Sequence, residues 1–198
     1  MAEKPYYDWD RFETGKEPAP EPSRPPRKKR GGILEFLVIL IVAFALVFGF
    51  VRPFVVEAFY IPSGSMIPTL EVGDRVLTNK FIYRFEDPKR GDIVVFRSVE
   101  GGDEDLIKRV VAVPGDEVSV RDGTLLVNGE AQEEPYVNRD APDTNTYGPM
   151  RVPEGHVFCM GDNRANSRDS RFFGPVPYEN IEGEAFVTFW PPSRLGLL

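Results

Sequence analysis

Residues Ile33 to Val51 are apolar without interruption except for Glu35, with Gly49 the only small break. A helix of this length rises about 28 Å at ~1.5 Å per residue, close to the ~30 Å hydrocarbon core of a bilayer. The run is longer than the apolar core of a cleaved leader, and no small-x-small site closes it. It therefore reads as one transmembrane helix, with Glu35 at the edge where its carboxylate reaches the interface. Lys16, Arg24, Arg27, Lys28, Lys29 and Arg30 precede it, whereas Arg52 alone is basic in the twenty residues that follow. Basic residues stay on the cytoplasmic side, so the N-terminus is expected there and residues 52–198 on the far side.

Composition narrows the remainder. Residues 1–32 are polar and proline-rich, cannot bury a core, and are expected to form a disordered cytoplasmic tail. Twenty-four Lys and Arg stand against 31 Asp and Glu, a net charge of −7, which argues against a nucleic-acid partner. A single cysteine, Cys159, and a single histidine, His156, leave no disulfide framework within the chain. They also leave no cysteine-rich or multi-histidine metal site, and no cofactor is expected. Cys159 lies in the apolar run Val157-Phe158-Cys159-Met160 and reads as core. His156 reads as a loop residue before a strand rather than as part of a Ser-His-Asp set.

The far-side part is short in period and rich in β-branched residues. Strands are expected at Val72–Thr78, Gly91–Phe96, Lys108–Val113, Val118–Val120, Thr124–Val127, His156–Met160 and Ala185–Trp190. Asp122-Gly123 and Asn128-Gly129 are hairpin turn pairs. Residues 131–152 read as a long loop. No helix-period segment of useful length follows Val51, so the fold class is mainly β: one N-terminal transmembrane helix, then a β-rich extracytoplasmic domain over 52–198.

Three stretches carry chemistry. Ile61-Pro62-Ser63-Gly64-Ser65-Met66-Ile67-Pro68-Thr69-Leu70 sets two hydroxyls and a glycine in an apolar frame, and its prolines keep it out of a helix. Such a turn suits a nucleophile beside an oxyanion hole. Strand alternation puts Leu106, Lys108, Val110 and Ala112 on one face, with Arg109 opposite as a solvated charge. Lys108 must then be paired, desolvated, or snorkelling to solvent; desolvation lowers its pKa from ~10.4 towards that of a usable base. Finally, Gly161-Asp162-Asn163-Arg164-Ala165-Asn166-Ser167-Arg168-Asp169-Ser170-Arg171 lacks the spaced carboxylates of a calcium loop. Its paired signs suit a network in which Asp and Arg fix a hydroxyl.

In order, Pro62–Leu70, Gly91–Val94, Lys108–Asp116 and Gly161–Arg171 resemble the boxes of bacterial type I signal peptidases over about residues 33–190. The single helix with its basic flank is similar too. The resemblance implies a serine endopeptidase with Ser65 as nucleophile and Lys108 as general base, acting through an acyl-enzyme. Ser63 and the Ser65 backbone N–H would form the oxyanion hole. Ser167 would orient the lysine amine, braced by the Asp169–Arg171 pair. Phe59, Ile61, Met66, Leu70, Leu106 and Ile107 would line shallow pockets for small residues, giving Ala-x-Ala specificity on preprotein signal peptides. The lipid bilayer and, by proximity, the secretion translocon would be its surroundings. Phe54, Phe59, Tyr60 and Phe81-Ile82-Tyr83 would form an apolar fringe near the membrane. Ala165 departs from the family, which commonly has an acidic residue there. Self-cleaving repressors share the dyad but carry DNA-binding helices where this chain has an anchor. No serine precedes a lysine by three residues, as penicillin-binding enzymes require. The rival outside enzymes is an anchored β module binding envelope partners, which would tolerate loss of Ser65.

Overall fold

The computed structural model describes residues 32–51 and 55–198. The tail expected over residues 1–32 lies outside them apart from Gly32, as does Phe54. Helix α1 (Gly32–Leu46) continues as a π-helical turn, Val47–Val51. Over Gly32–Gly49 it is long and apolar enough to cross a membrane, and none of its described side chains is buried.

The remaining elements are strands joined by short turns. They are β1 (Val56–Tyr60), β2 (Arg75–Asn79), β3 (Ile93–Arg97), β4 (Asp105–Ala112), β5 (Glu117–Arg121) and β6 (Thr124–Val127). After them come β7 (Glu130–Ala131), β8 (Tyr147–Arg151), β9 (His156–Met160), a helical turn α2 (Ser170–Phe173), β10 (Val176–Pro177), β11 (Ile181–Trp190) and β12 (Gly196–Leu197). One sheet runs β1-β2-β11-β3-β4-β9-β10, with β12 also on β11, and a second runs β7-β6-β5-β8. Every pairing is antiparallel. The two glycine turns behave as their chemistry dictates: Asp122 and Gly123 take φ of 46° and 77°, Asn128 and Gly129 take 54° and 82°. Positive φ at both central positions matches the twist of the flanking strands.

Residues 131–152, expected as loop, contain β8. Its sequence Tyr-Gly-Pro-Met-Arg has no readable alternation and holds two residues that strands disfavour. It is an edge strand, where a proline costs no ladder bond on its outer side. β1 was also unanticipated, being short and another edge.

Three apolar clusters hold the domain. Val118, Val120, Leu125 and Val127 of the small sheet pack on Val111, Ala112, Phe158 and Met160. One face of the large sheet carries Ile61, Met66, Leu70, Val76, Ile93, Val95, Ile107 and Ala185. The opposite face carries Val94, Phe96, Val110, Val157, Cys159 and Val176. The expected common face of Leu106, Lys108, Val110 and Ala112 breaks at its end. A register shift between Val110 and Ala112 turns Ala112 into the cluster of Val111.

Strand β4 is asymmetric. It pairs with β3 along Asp105–Arg109 but with β9 only from Arg109 onward. The Val110 N–H and C=O bond to Asp92 and Gly91, towards β3. Alternation therefore turns the backbone groups of Asp105 and Ile107 to the other edge, where no strand pairs with them among the described residues.

Candidate active site

The turn after β1 is fastened at both ends. The Ile61 N–H donates to Asp74 O at 2.9 Å, and the Leu70 N–H donates to Met66 O at 2.9 Å. Ile61, Met66 and Leu70 are at most 1% exposed and sink the turn into the core. Ser63 is exposed, while Ser65 is buried at its base.

Lys108 is 3% exposed. Its parity is that of Leu106, on the far face, but its stem curls over the open edge of β4. There Nζ donates to Ile107 O at 2.9 Å and meets Ser65 Oγ at 2.8 Å. Burial pushes the amine down to about 8, against the pull of the Asp169 carboxylate. A neutral amine has two N–H groups and one lone pair. With one N–H on Ile107 O, the lone pair can accept the Ser65 hydroxyl proton, so the geometry permits proton transfer between them.

Gly161 makes the approach possible. The ladder Met160↔Arg109 puts it across from Lys108. A Cβ there would come within 2.5 Å of Ser65 O and closer still to Ser167 Oγ. Ser167 Oγ is buried without a hydrogen-bond partner. The bond from Ser167 to the lysine amine expected above is not formed; the amine's contacts go to Ser65 and Ile107.

The Asp169–Arg171 pair is present, with Nε to Oδ1 at 2.8 Å and Nη2 to Oδ2 at 2.8 Å. Asp169 caps α2 and also accepts the Gly161 N–H at 3.0 Å, while Ser170 Oγ accepts the Cys159 N–H at 3.0 Å. Two side chains thereby satisfy the free edge of β9. Arg109 is not the solvated charge expected. It forks onto the fully buried Asp162 at 3.0 and 2.7 Å and lies 4.0 Å over the Tyr136 ring. Thr69 Oγ1 donates to the same Asp162 at 2.5 Å, tying the serine turn to β4.

Two anchors had no signal in the sequence. Glu134 takes a fork from Arg164, and Asp143 pairs with Arg171. Both acids belong to the excursion between β7 and β8, far from their partners in sequence. Arg164 and Glu134 side chains are 2% and 10% exposed. Removing one charge of such a pair strands the other, so Glu134→Gln is expected to cost about 3–5 kcal/mol in urea unfolding.

Among the residues expected to face substrate, Ile61, Met66, Leu70 and Ile107 share one cluster, with Phe59 packed against it. Leu106 does not join them: adjacent strand residues face opposite ways, and it packs beside Val94 and Phe96. A cleft of about 340 Å³ opens beyond Phe59, bordered by Glu57, Lys80, Arg97, Asp105 and Glu182. His156 opens β9 and its Nδ1 contacts Glu154 O at 2.8 Å. Cys159 is fully buried, and burial pushes its thiol up.

A buried amine set against a serine hydroxyl is chemistry that a peptidase can use, and the known proteins similar to this chain are peptidases. Residues 33–190 match the family described as signal peptidase, peptidase S26. The chain belongs to that family. It is 45% identical to a probable signal peptidase I-2 of Synechocystis over 170 residues, covering 83% of this chain and 77% of the relative. It is 42% identical to a signal peptidase I of Leptolyngbya laminosa over 93% of both chains. A probable thylakoidal processing peptidase 2 of Arabidopsis thaliana is 48% identical over 68% of this chain and 38% of its own.

Proposed function

We propose that this chain removes signal peptides from preproteins by a Ser65–Lys108 dyad, and the 2.8 Å approach of a buried amine to Ser65 Oγ carries the reading. Neutral Lys108 takes the hydroxyl proton as Oγ bonds to the scissile carbonyl carbon. The carbonyl electrons move to oxygen, held by the Ser65 N–H and the Ser63 hydroxyl. The C–N bond then breaks as Lys108 gives its proton to the leaving amine, leaving an ester on Ser65. Water, deprotonated by the same lysine, attacks that ester; the proton returns to Oγ and the acid product departs. The Asp169–Arg171 pair braces the dyad through the Gly161 N–H, which Asp169 accepts.

The open edge of β4 supports binding of an extended peptide as an added strand. Alternate side chains of that peptide would face the cluster of Phe59, Ile61, Met66, Leu70 and Ile107. Ile61, Met66 and Leu70 are already covered by their neighbours, so the cluster offers a shallow apolar surface rather than a deep pocket, which supports a preference for small side chains such as those of an Ala-x-Ala site. The helix supports a membrane anchor, with the N-terminus cytoplasmic, the dyad outside, and lipid and the secretion translocon as neighbours.

The test is cleavage of a preprotein with an Ala-x-Ala site by the detergent-solubilised full chain. The wild type is expected to cut after the second alanine and folded Ser65→Ala to be inactive. Cleavage by Ser65→Ala at a similar rate would discard the dyad, and inactivity of both would favour the anchored binding module.

A further inference from the structure

Asn163 holds the serine turn by two hydrogen bonds to successive carbonyls. Its side-chain Nδ2 donates to Gly64 O at 2.9 Å, and its backbone N–H donates to Ser65 O at 3.0 Å. The residue is 6% exposed, so neither bond competes with bulk water. The first bond matters for reasons of peptide geometry. The Gly64–Ser65 peptide is not among the cis bonds of the described chain, and in a trans peptide the C=O and the following N–H point in opposite directions. A donor fixed on Gly64 O therefore fixes the Ser65 N–H, on the opposite side, away from Asn163. No acceptor meets that N–H among the described residues. The second bond holds the next peptide plane, so the backbone of Ser65 is restrained on both sides by one residue.

We propose that Asn163 is the positioning residue of the oxyanion hole: its carboxamide turns the Ser65 N–H toward the attacked carbonyl. The inference rests on the dyad reading above and adds to it a residue that does not itself meet substrate. A second observation sets this role apart from plain bracing. Asn163 Oδ1 is buried and has no hydrogen-bond partner, while Gly64 O also accepts the Ile67 N–H at 3.3 Å. Truncation thus removes a buried unsatisfied acceptor and leaves Gly64 O still bonded. The two effects oppose each other in stability, because an unsatisfied buried polar atom costs about as much as a hydrogen bond gains. They do not oppose each other in catalysis, where only the direction of the Ser65 N–H counts.

The experiment compares wild type with Asn163→Ala and Asn163→Asp in the full chain in detergent. The Asp variant keeps the size of the side chain and loses its donor, so it carries the test if the Ala variant does not fold. Removal of one oxyanion donor costs about 10²–10³ in kcat, and misdirection of one is expected to cost roughly 30- to 100-fold. KM should stay within about twofold, as the ground-state peptide makes little use of the hole. A peptide aldehyde ending in Ala-x-Ala forms a tetrahedral adduct on Ser65, and its affinity should fall by the same factor as kcat. Binding of the uncleaved peptide, measured with Ser65→Ala and with Ser65→Ala/Asn163→Ala, should not differ. An unchanged kcat, or a loss confined to KM with aldehyde affinity intact, overturns the proposal. If Ser65→Ala itself still cleaves, the dyad reading falls and takes this inference with it. If Ser65→Ala is inactive and both Asn163 variants are normal, only this inference falls.

Discussion

Replacing Lys108 by alanine is expected to lower kcat/KM for an Ala-x-Ala preprotein by at least about 10⁴-fold, with the fold retained. The magnitude follows from what the amine does in the proposed cycle. It accepts the nucleophile's proton, returns it to the leaving group, and activates the deacylating water, so no later step rescues its loss. Stability should not suffer in proportion, because a buried ammonium with no carboxylate in direct contact is a burden to the fold. The wild type carries a signature of the same group. Activity needs the neutral amine, so kcat/KM should rise with pH and level off above about 8, where burial has brought Lys108. An amine with that pKa is about one-tenth neutral at pH 7, against less than about one part in a thousand at the ordinary ~10.4. A profile that instead falls above pH 7, or a Lys108→Ala enzyme with more than a few per cent of wild-type rate, would place the base elsewhere.

Gly161→Ala is expected to be the change outside the dyad most damaging to the rate. A methyl group there meets the Ser65 carbonyl, which the Asn163 N–H holds, and both Oγ and Cβ of the buried Ser167, whose short stem has little room to swing away. Overpacking of this kind costs typically 1–3 kcal/mol, and relief by shifting Ser65 misplaces the nucleophile. Misplacement by about 1 Å is enough for a ~10²-fold loss of rate. Urea unfolding should therefore show a loss of a few kcal/mol at most, alongside a fall in kcat of ~10²-fold or more. Wild-type kcat in a folded Gly161→Ala protein would mean that the turn can give way without consequence.

Particular residues explain how far the sequence could be read. The apolar helix, the strands β2–β6 and β9, the Ala185–Trp190 part of β11 and both glycine turns follow from patterns confined to a few neighbours, and they are where the fold was foreseen. β1 and β8 escaped because edge strands need not alternate and because Pro149 argues against a strand anywhere but an edge. Alternation leaves Lys108 open between pairing, desolvation and snorkelling, and the structure buries it. The pairing of Arg109 was not foreseen, because alternation says which way a side chain leaves the strand and nothing of what waits there. Asp162 and Tyr136 wait there, from two distant segments. The same limit hid Glu134 and Asp143, whose partners Arg164 and Arg171 advertise a need for anions but not which ones. The resemblance groups Leu106 with the substrate-facing residues, and the two-residue period of a strand sends it to the other face. Asn163 lay in a block recognised as a hydroxyl-fixing network. Its hold on Gly64 became visible only when a contact 99 residues apart in the chain closed.

The unpaired stretch of β4 has a consequence for how copies of this enzyme meet one another. An exposed strand edge is a template for self-association, and proteins commonly disarm it with charge and brevity. Here the open length is about three residues, roughly 10 Å, and it is entered through Asp103-Glu104-Asp105. Two copies brought together along this edge would form no more than a few backbone bonds between them. The edge is thus too short a template for a second copy, whereas an extended peptide of the kind proposed above as substrate needs no more than those few bonds.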